Sequence, residues 1–509
     1  MLAGIVLAGG CARSDFFQPD ARLPAASFFS SATTDSARGL TAGRHYAQHG
    51  RLYQALVGRH HRASWAAPVS APVLDLRRAV PGGLQPGKLG GGFNSTSLNL
   101  NAPDGRQYVL RSLDKDPSRA MPRWLRPTFL TNALRDNISA TNPYAALTVP
   151  PLAAAVGVPH TRPRLFYGRA DDPVFASDSL VRLRGQLGLL EEKFSGPAVT
   201  VPGLGTMDVV NSADAFGQVF ASPAHRFDQP ALLRARLLDA WLGDWDRHEG
   251  QWNWAARPAA AAGTVRYQAI PKDRDMVFYR LDDGALGWLV GRVFRPSWNT
   301  FDTRFTNVRG LMRNGHYLDV RALNQLSRPQ FEATARLMQQ QLPDTLLRNA
   351  LRRLPPAVQA LQGPRLLATL QARRAALPAF ATDFYRELAR RPLVGGTGQA
   401  ERFEVRRYPD STVVTIAARP AGAVAESEPA PYFRRTFFPG ETKLIQLEGL
   451  GGDDILSLTN APGAAHRPRL RFYGGTGNDQ LPGEAPRQGV RFEQGAAPAK
   501  KAYDHLPAD

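Results

Sequence analysis

The stretch WLGDWDRHEGQWNW at residues 241–254 is joined by a Pro/Ala/Gly-rich linker to VRYQAIPKDRDMVF at residues 265–278. A helical pattern ends at Trp241 and a compact polar loop follows it, whereas the second stretch alternates like a strand and ends on Asp273 and Asp275. Metal-assisted phosphoryl transfer requires one acid that meets the substrate hydroxyl and others that hold the cation bridging the phosphates. Two polar clusters joined by short strands therefore predict a site of that kind.

The spacing of the polar residues narrows the chemistry. Asp246-Arg-His-x-x-Gln251 fits the form D-x-x-x-x-N/Q, in which a kinase catalytic loop places an acid beside the acceptor hydroxyl and an amide on the metal. Asp273 follows its strand where a second metal-binding acid is expected. The alternative left open is that these acids pair with the many arginines of the chain in a structural network. The predicted catalytic residues are Asp246, Arg111 and His248, and the predicted ligands of Mg²⁺ or Mn²⁺ are Gln251, Asp273 and Asp275.

A glycine-rich turn and a cationic strand precede this region. Gly90, Gly91 and Gly92 lie between two predicted strands, where backbone N–H groups could close over nucleotide phosphates. The next predicted strand presents Arg111 about where a kinase places its phosphate-binding lysine, although an arginine is a planar fork rather than a compact charge. Lys115 is the second choice for that role.

Two further acids complete the predicted site. Glu191 follows a later strand, where a kinase hinge would lie, and is assigned to nucleotide binding together with Arg111. Asp136 lies on a helix predicted over residues 127–140 and is expected either to pair with Arg111 or to be solvated.

Helix signals surround the polar loop. Asp228-Gln-Pro230 predicts a helix start, and Leu233, Leu237 and Trp241 then repeat on one face, which is expected to be core. Ser327 to Gln330 fits a capping box before another helix. Beyond it the helical patterns are interrupted by prolines, which predicts separate helices.

The composition limits the class of protein. The chain has 509 residues, 43% of them hydrophobic, which is enough for two to four globular domains. Its formal net charge is +19, but the 63 Lys and Arg residues are scattered rather than gathered on one arm, so nucleic-acid binding is not expected. The excess charge favours polyanionic neighbours such as nucleotides or anionic headgroups, or is only a general bias towards arginine.

The single cysteine stands at a distinctive place. MLAGIVLAGG at residues 1–10 leads directly to Cys11, as in a lipoprotein signal after which the cysteine is lipidated, although the usual positive segment is missing. Residues 14–41, rich in Ser, Ala and Pro, are then expected to be a tether, and the lipid would place the protein in the cell envelope. The alternative is an ordinary frayed terminus.

Several of these motifs resemble known families. Asp246-Arg247-His248 resembles the D-R-H loop of secreted Golgi-type kinases and HipA-type toxin kinases, and residues 270–278 resemble the I-P-W-D-Y-D-x-x-F segment of CotH kinases. Residues 74–481 resemble the middle region of bacterial envelope proteins, in which a calcineurin-like phosphoesterase often precedes and a surface-antigen outer-membrane barrel follows. That second resemblance rests on YVLRSLDKDP (108–117), GDWDRHEGQW (243–252), PKDRD (271–275) and GLGGDD (449–454).

The resemblance implies an α+β fold with a two-lobed, atypical kinase-like domain followed by a small all-β domain. The expected divisions are a leader and tether (1–70), a β-rich lobe (71–200), a helical lobe (201–396), a β-domain (397–485) and a tail (486–509). In the β-domain, residues 449–454 and 474–479 each resemble one turn of the calcium-binding nonapeptide repeat, but two isolated turns predict turn chemistry rather than a calcium site.

The function implied is that of a metal-dependent phosphotransferase at the cell envelope, with ATP as donor, Mg²⁺ or Mn²⁺ as cofactor and an unknown acceptor. The alternatives are a catalytically inactive kinase-like scaffold and an adaptor for an outer-membrane assembly. Arg111 in place of lysine favours the scaffold, whereas the presence of Asp246, Gln251 and Asp273 favours the enzyme.

Overall fold

The structure is a computed structural model, and it describes residues 11–23, 37–90, 96–261, 263–419, 429–464, 468–483 and 488–497. The predicted leader, most of the predicted tail, and Gly91 and Gly92 of the predicted phosphate loop lie outside the described residues. The chain mixes helices and sheets, as the α+β prediction required.

The first described elements pack against the body of the protein. Strand β1 (Ala37–Leu40) is followed by helices α1 (Arg51–Val57) and α2 (Arg62–Ala66) and by strand β2 (Val69–Pro72), which pairs with β1 in antiparallel fashion. Gln18 is buried and bonds to Thr41 and Gln186. The described parts of residues 14–41 are therefore folded onto the core, which differs from the predicted tether, because apolar side chains such as Ala21 and Leu40 are fully buried there.

A five-stranded antiparallel sheet follows. It consists of β3 (Gln85–Gly90), β4 (Ser97–Asn101), β5 (Gln107–Ser112), β6 (Arg164–Gly168) and β7 (Gln186–Lys193), in the spatial order β3-β4-β5-β7-β6. Helices α3 (Phe129–Asp136) and α4 (Val149–Ala155) lie in the chain between β5 and β6. Strand β5 thus pairs directly with β7, which places Arg111 on β5 diagonally beside Glu191 on β7.

A second five-stranded sheet carries the polar loops. Its strands are β8 (Gly196–Val201), β9 (Gly205–Asn211), β10 (His225–Phe227), β11 (Trp252–Pro258) and β12 (Val265–Pro271), in the order β10-β12-β11-β9-β8. Helix α5 (Ser212–Ala221) follows β9, and helix α6 (Gln229–Leu242) lies between β10 and β11. The residues of the first quoted stretch therefore run from α6 through the polar loop into β11, and those of the second run along β12.

Helix α6 forms where its signals predict it. Asp228 caps it by accepting a bond from the N–H of Ala231, and the predicted face of Leu233, Leu237 and Trp241 is completely buried. The helix ends at Gly243, whose φ of 73° is left-handed and whose missing side chain leaves room for Phe301. This tight end delivers the polar loop to the end of strand β12.

Short and long helices make up the next part of the chain. They are α7 (Ala285–Leu289), α8 (Val308–Met312), α9 (His316–Ala322), α10 (Arg328–Gln341), α11 (Asp344–Leu351) and α12 (Pro356–Ala389). The capping box of Ser327 and Gln330 is confirmed. The prediction that prolines break the later helices is wrong, because α12 runs on through Pro364 and Pro378. A proline inside a helix costs about 3 kcal/mol, and the many core residues that α12 buries outweigh that cost.

From Leu393 to Glu493 the elements that the structure describes are all strands. They are β13 (Leu393–Gly395), β14 (Glu401–Arg407), β15 (Thr412–Ala418), β16 (Phe433–Phe437), β17 (Leu444–Glu448), β18 (Ile455–Asn460), β19 (Arg469–Tyr473) and β20 (Val490–Glu493). Strands β13, β17, β19 and β20 form a parallel sheet, and β16, β15, β14 and β18 form a second sheet. The turns 449–454 and 474–479, predicted to be isolated, stack on each other with Gly451 opposite Thr476, since each follows one of two paired parallel strands.

Candidate active site

The buried side chain of Arg247 joins the two polar loops. Its guanidinium donates to the backbone oxygens of Gln251 (3.1 Å), Lys272 (2.8 Å) and Asp273 (3.3 Å). It also lies over the ring of Trp252, with 4.6 Å between the guanidinium carbon and the ring centroid. One side chain from the Asp246-Arg-His motif thus fixes the start of β11 to the end of β12.

Buried ion pairs anchor Arg247 from below. Asp239 of α6 accepts from Arg247 at 3.2 Å and is also contacted by Arg236 and Arg274. Burial opposes the ionisation of Asp239, but the charges of Arg247, Arg274 and Arg236 outweigh it and lower the pKa of this carboxyl. Arg274 also donates to Asp244 at 3.0 Å.

Asp244 behaves in the opposite way. Burial raises its pKa to about 7, against the lowering effect of Arg247 and Arg274, and its Oδ1 has no hydrogen-bond partner in the described structure. The structural network of acids and arginines that the sequence left open is therefore present at Asp239 and Asp244, and Asp273 also pairs with an arginine, Arg111. Asp246 takes no part in these ion pairs.

Asp273 occupies the centre of the site in a strained conformation. Its φ of 57° is left-handed, which is uncommon for a residue other than glycine and is concentrated at functional sites. Its carboxylate accepts from Arg111 at 3.3 Å and from the side chain of Gln251. Burial opposes its ionisation, yet the charges of Arg111, Lys115 and Arg247 lower its pKa to about 2, so the group is ionised. The structure thus brings together three residues that the sequence assigned to one site.

Asp275 lies beside Asp273 and is paired with a different cation. Lys115, the second choice for a phosphate ligand, contacts its carboxylate directly. Burial and the neighbouring charge of Asp273 raise the pKa of Asp275, and Asp246 contributes in the same direction. This mutual influence places the three acids within electrostatic reach of one another.

Arg111 connects the first sheet to this cluster. Its Nε donates to Glu191 at 2.9 Å while its Nη1 reaches Asp273, and Glu191 also accepts from Thr161 at 2.7 Å. Glu191 is therefore one of two acidic partners of Arg111 in the described structure, the other being Asp273.

Asp136 meets neither expectation. It is buried rather than solvated, and its carboxylate accepts two bonds of 2.6 Å from Arg62 and one of 2.9 Å from His49. The prediction was wrong because the cation that reaches Asp136 comes from α2, a segment in which the sequence signalled no function.

Asp246 is held by a residue that the sequence did not predict. Asn314 donates its side-chain N–H to Asp246 Oδ1 at 2.9 Å from a short turn, Arg313–Gly315, between α8 and α9. No motif marks this segment, and it lies 68 residues away in the chain. His248 is exposed, and its Nδ1 accepts from the N–H of Gly250, so it caps the short turn Glu249–Gln251.

The oxygen ligands available at this site are of the chemical type that a hard divalent cation binds. Carboxylate oxygens of Asp273 and Asp275 and the amide of Gln251 are the ligands that Mg²⁺ takes in proteins, together with waters and phosphates. Across the residues that the structure describes, no group of three or more His, Cys, Asp or Glu side chains is arranged as a ready cation site. Both carboxylates are instead paired with Arg111 and Lys115. Gly90 ends β3 opposite Ser97, at the edge of the sheet that carries Arg111.

Two solved kinase structures are similar to the chain. The Helicobacter pylori proinflammatory kinase CtkA shares 11% identity, with 58% of this chain and 95% of that chain covered and a TM-score of 0.29. The amicoumacin kinase hAmiN, solved in complex with AMP-PNP, Ca²⁺ and Ami, shares 13% identity over 58% and 88% of the chains, with a TM-score of 0.16. No protein-family model matches the chain, and no curated protein matches it either. TM-scores this low do not establish a common fold, so the functional conclusion rests on the site itself.

Proposed function

We propose that the protein is an atypical, metal-dependent, kinase-like phosphotransferase with ATP as donor. The single observation that carries the proposal is Arg247, which ties the Asp246 loop to the Asp273 loop through three backbone oxygens. Phosphoryl transfer depends mainly on positioning and electrostatic stabilisation, so rigid connection of the two loops is what such a site requires.

The ion pairs of the site can be exchanged for contacts with a metal and a nucleotide without leaving a charge unpaired. Asp273 and Asp275 are neutralised by Arg111 and Lys115, and both cations also suit phosphate oxygens. A metal–nucleotide complex brings cation and anion together, so the carboxylates and Gln251 would hold the metal while Arg111 and Lys115 turn to the phosphates. Every buried charge then keeps a partner of opposite sign, which avoids the cost of an unpaired buried ion.

Each residue has a separate task in this scheme. When bound, the metal supplies charge neutralisation between the phosphates. Asp246, oriented by Asn314, would receive or align the proton of the acceptor hydroxyl. Glu191 would hold Arg111 in place.

Separate substitutions test these tasks. Asp273→Ala should abolish the metal-dependent stabilisation by ATP in a thermal-shift assay with Mg²⁺ or Mn²⁺, because the metal loses a charged ligand. Asp246→Asn should keep that stabilisation and lower turnover by roughly 10²-fold or more, as loss of a general base does. Asp282→Ala, at an exposed acid nearby, serves as the control and should match the wild type.

The alternative of an inactive scaffold has its own support. Arg111 stands where a kinase has lysine, and both metal-type acids already have basic partners. A wild-type protein that binds no nucleotide with either metal would overturn the enzyme and leave the scaffold. The adaptor hypothesis would then depend on a surface outside this site.

We further propose that the protein acts at the cell envelope through a lipid on Cys11. Cys11 is exposed with a free thiol, and its backbone pairs with Thr128 at the start of α3, which would hold the body close to the membrane surface. Within the described ranges no helix is both long enough and apolar enough to span a membrane. Cys11→Ala should release the protein into the soluble fraction after cell lysis, and unchanged membrane fractionation would refute the lipid anchor.

A further inference from the structure

A cavity of about 880 Å³ lies between the helices and the C-terminal strands. Its walls come from α8, the turn Arg313–Gly315 and α9 on one side, from the end of α12 on a second, and from β17 and β19 on a third. This volume is within the range of small-molecule sites and far exceeds the space needed by an ordered water.

The cavity wall is strongly basic. One carboxylate stands among its lining residues, that of Glu387, and it lies 3.9 Å from Arg309. For the other arginines of the wall, the described structure contains no acidic group within ion-pair distance. The lining arginines are Arg309, Arg313, Arg390, Arg391 and Arg471.

These arginines come from four separate elements, so chain neighbours do not explain their convergence. They extend from α8 and the following turn to the C-terminal end of α12 and to β19. Arginine side chains that line one cavity repel one another, weakly where they are exposed to solvent, and an anion bound between them removes that repulsion. Guanidinium groups bind phosphate oxygens through paired, charge-assisted hydrogen bonds.

Apolar side chains form part of the remaining wall, which also carries Asn307, His316, Gln446 and Tyr473. Met312, Val320, Phe384 and Leu393 are buried at its base, and Leu388 lies beside them. A ligand that fills this volume therefore needs an apolar portion as well as its charge, since a bare inorganic anion would leave the base of the cavity unmatched.

We propose that this cavity binds a phosphate ester that carries an apolar group. The site is distinct from the Asp246 centre and the proposal holds whether or not that centre transfers phosphate. The two are neighbours through one turn, because Arg313 and His316 line the cavity while Asn314 between them bonds to Asp246.

Calorimetric titration of the full chain with 1-naphthyl phosphate, in EDTA, tests the proposal. We expect saturable binding by the wild type, weaker binding of inorganic phosphate and no binding of uncharged 1-naphthol. The double variant Arg390→Gln/Arg471→Gln should bind at least tenfold more weakly. Arg386→Gln, on the exposed face of α12 where it pairs with Asp383, is the matched control and should bind like the wild type.

Two results would overturn the proposal: absence of binding by the wild type, or equal affinity in the double variant. Arg111→Gln guards against binding at the other phosphate-type site. If that variant loses the binding while the double variant keeps it, the cavity is not the site. Thermal unfolding of both variants verifies that they are folded, since the two replaced arginines are not in the core.

A second arm distinguishes a lipid headgroup from a soluble ester. The Cys11→Ala protein, which cannot carry a lipid of its own, is floated with phosphatidylcholine vesicles with and without phosphatidic acid. Flotation that needs phosphatidic acid and is lost in the double variant supports the proposal with a lipid as the source. Absence of flotation beside saturable binding of 1-naphthyl phosphate supports it with a soluble ester.

Discussion

Two groups of buried acids in this protein meet opposite surroundings. In the candidate active site, Asp239 and Asp273 are surrounded by arginines, and their pKa values are lowered. In the C-terminal strands, Glu401, Asp454 and Asp479 stack on one another, and their pKa values are raised by burial. Neighbouring cations thus keep Asp239 and Asp273 ionised, whereas burial shifts the three C-terminal acids towards the protonated form.

The stacked acids, which we call the acid ladder, are part of the backbone pairing. Asp454 accepts from the N–H of Glu401 at 2.8 Å, Asp479 accepts from the N–H of Asp454 at 3.0 Å, and Gln494 accepts from the N–H of Asp479 at 3.1 Å. Asp454 and Asp479 therefore each join their own turn to the backbone of the preceding acid. The acid ladder thus gives the recurring acids a structural role in joining the turns.

Glycines make room for the acid ladder. A Cβ added to Gly396, Gly449 or Gly474 would come within 2.1, 2.0 and 1.6 Å of a carboxylate oxygen of Glu401, Asp454 and Asp479, respectively. The glycine and the acid of each turn are therefore one structural unit. The resemblance to a calcium-binding repeat comes from this unit, in which the Oδ2 atoms of Asp454 and Asp479 are buried against the glycines and have no hydrogen-bond partner in the described structure.

The largest difference in stability between the two regions is expected when Arg247, the buried cation that joins the two polar loops of the candidate active site, is removed. Arg247→Met should lower the free energy of unfolding by about 3–5 kcal/mol, because it leaves Asp239 with fewer partners in a buried position. Urea unfolding followed by tryptophan fluorescence measures the change, since Trp245 and Trp252 lie beside the loop. Arg257→Met, at an exposed arginine of β11, is the control and should stay within about 0.5 kcal/mol of the wild type. Equal effects of the two substitutions would contradict a central role for Arg247.

The acid ladder should respond to pH in the opposite sense from a paired acid. The folded pKa of Asp454 is raised to about 8, so the folded state holds a proton that the unfolded chain releases near pH 4. Stability is then fully present below pH 4 and is lost as the pH rises through 8, by up to about 1.4 kcal/mol per pH unit for one proton. The charges of Glu401 and Asp479 raise the pKa of Asp454 further, and the charge of Arg419 opposes them.

Asp454→Asn should flatten this pH dependence and protect the strands at pH 8, because an amide fills the same place without charge. Hydrogen exchange of the amides in Ile455–Asn460, after division by the intrinsic rates, reports the strands rather than the whole chain. Asp453→Asn, at the exposed neighbour, should leave the slope unchanged. A steep slope that survives Asp454→Asn would show that another member of the acid ladder holds the proton.

The comparison also shows what a sequence can predict. The roles assigned to Asp246, Gln251 and Asp273 from spacing within short loops stay predictions, but the antiparallel pairing of β11 with β12 does bring Gln251 and Asp273 into contact. The burial of Leu233, Leu237 and Trp241 followed from helical periodicity in the same way. Features set by neighbouring residues were therefore accessible from the sequence.

Features set by distant residues were not accessible. The sequence suggested Asp136 as a partner of Arg111, but the pairing of β5 with β7 brings Glu191 to Arg111 instead. The acid ladder was invisible because its three turns are 25 or more residues apart and come together through parallel strands. Asn314 was missed for the same reason, since nothing in its own segment indicates Asp246.

The smallest effect is expected at that missed residue. Asn314→Ala removes one hydrogen bond to Asp246, which is worth about 1 kcal/mol for a partly exposed charged acceptor, so turnover of the proposed phosphotransferase should fall roughly fivefold. The metal-dependent stabilisation by ATP should not change, because Asn314 contacts neither Asp273 nor Asp275 in the described structure. Asn314→Asp should lower turnover further, since a second carboxylate would repel Asp246.

Asn349→Ala, at an exposed asparagine of α11, controls for a general effect of losing an amide. A positioning residue changes kcat while the KM for ATP stays constant, and a residue that only stabilises the fold would lower the thermal midpoint and leave kcat of the folded fraction unchanged. The second result would remove Asn314 from the active site and leave Asp246 without a defined orientation.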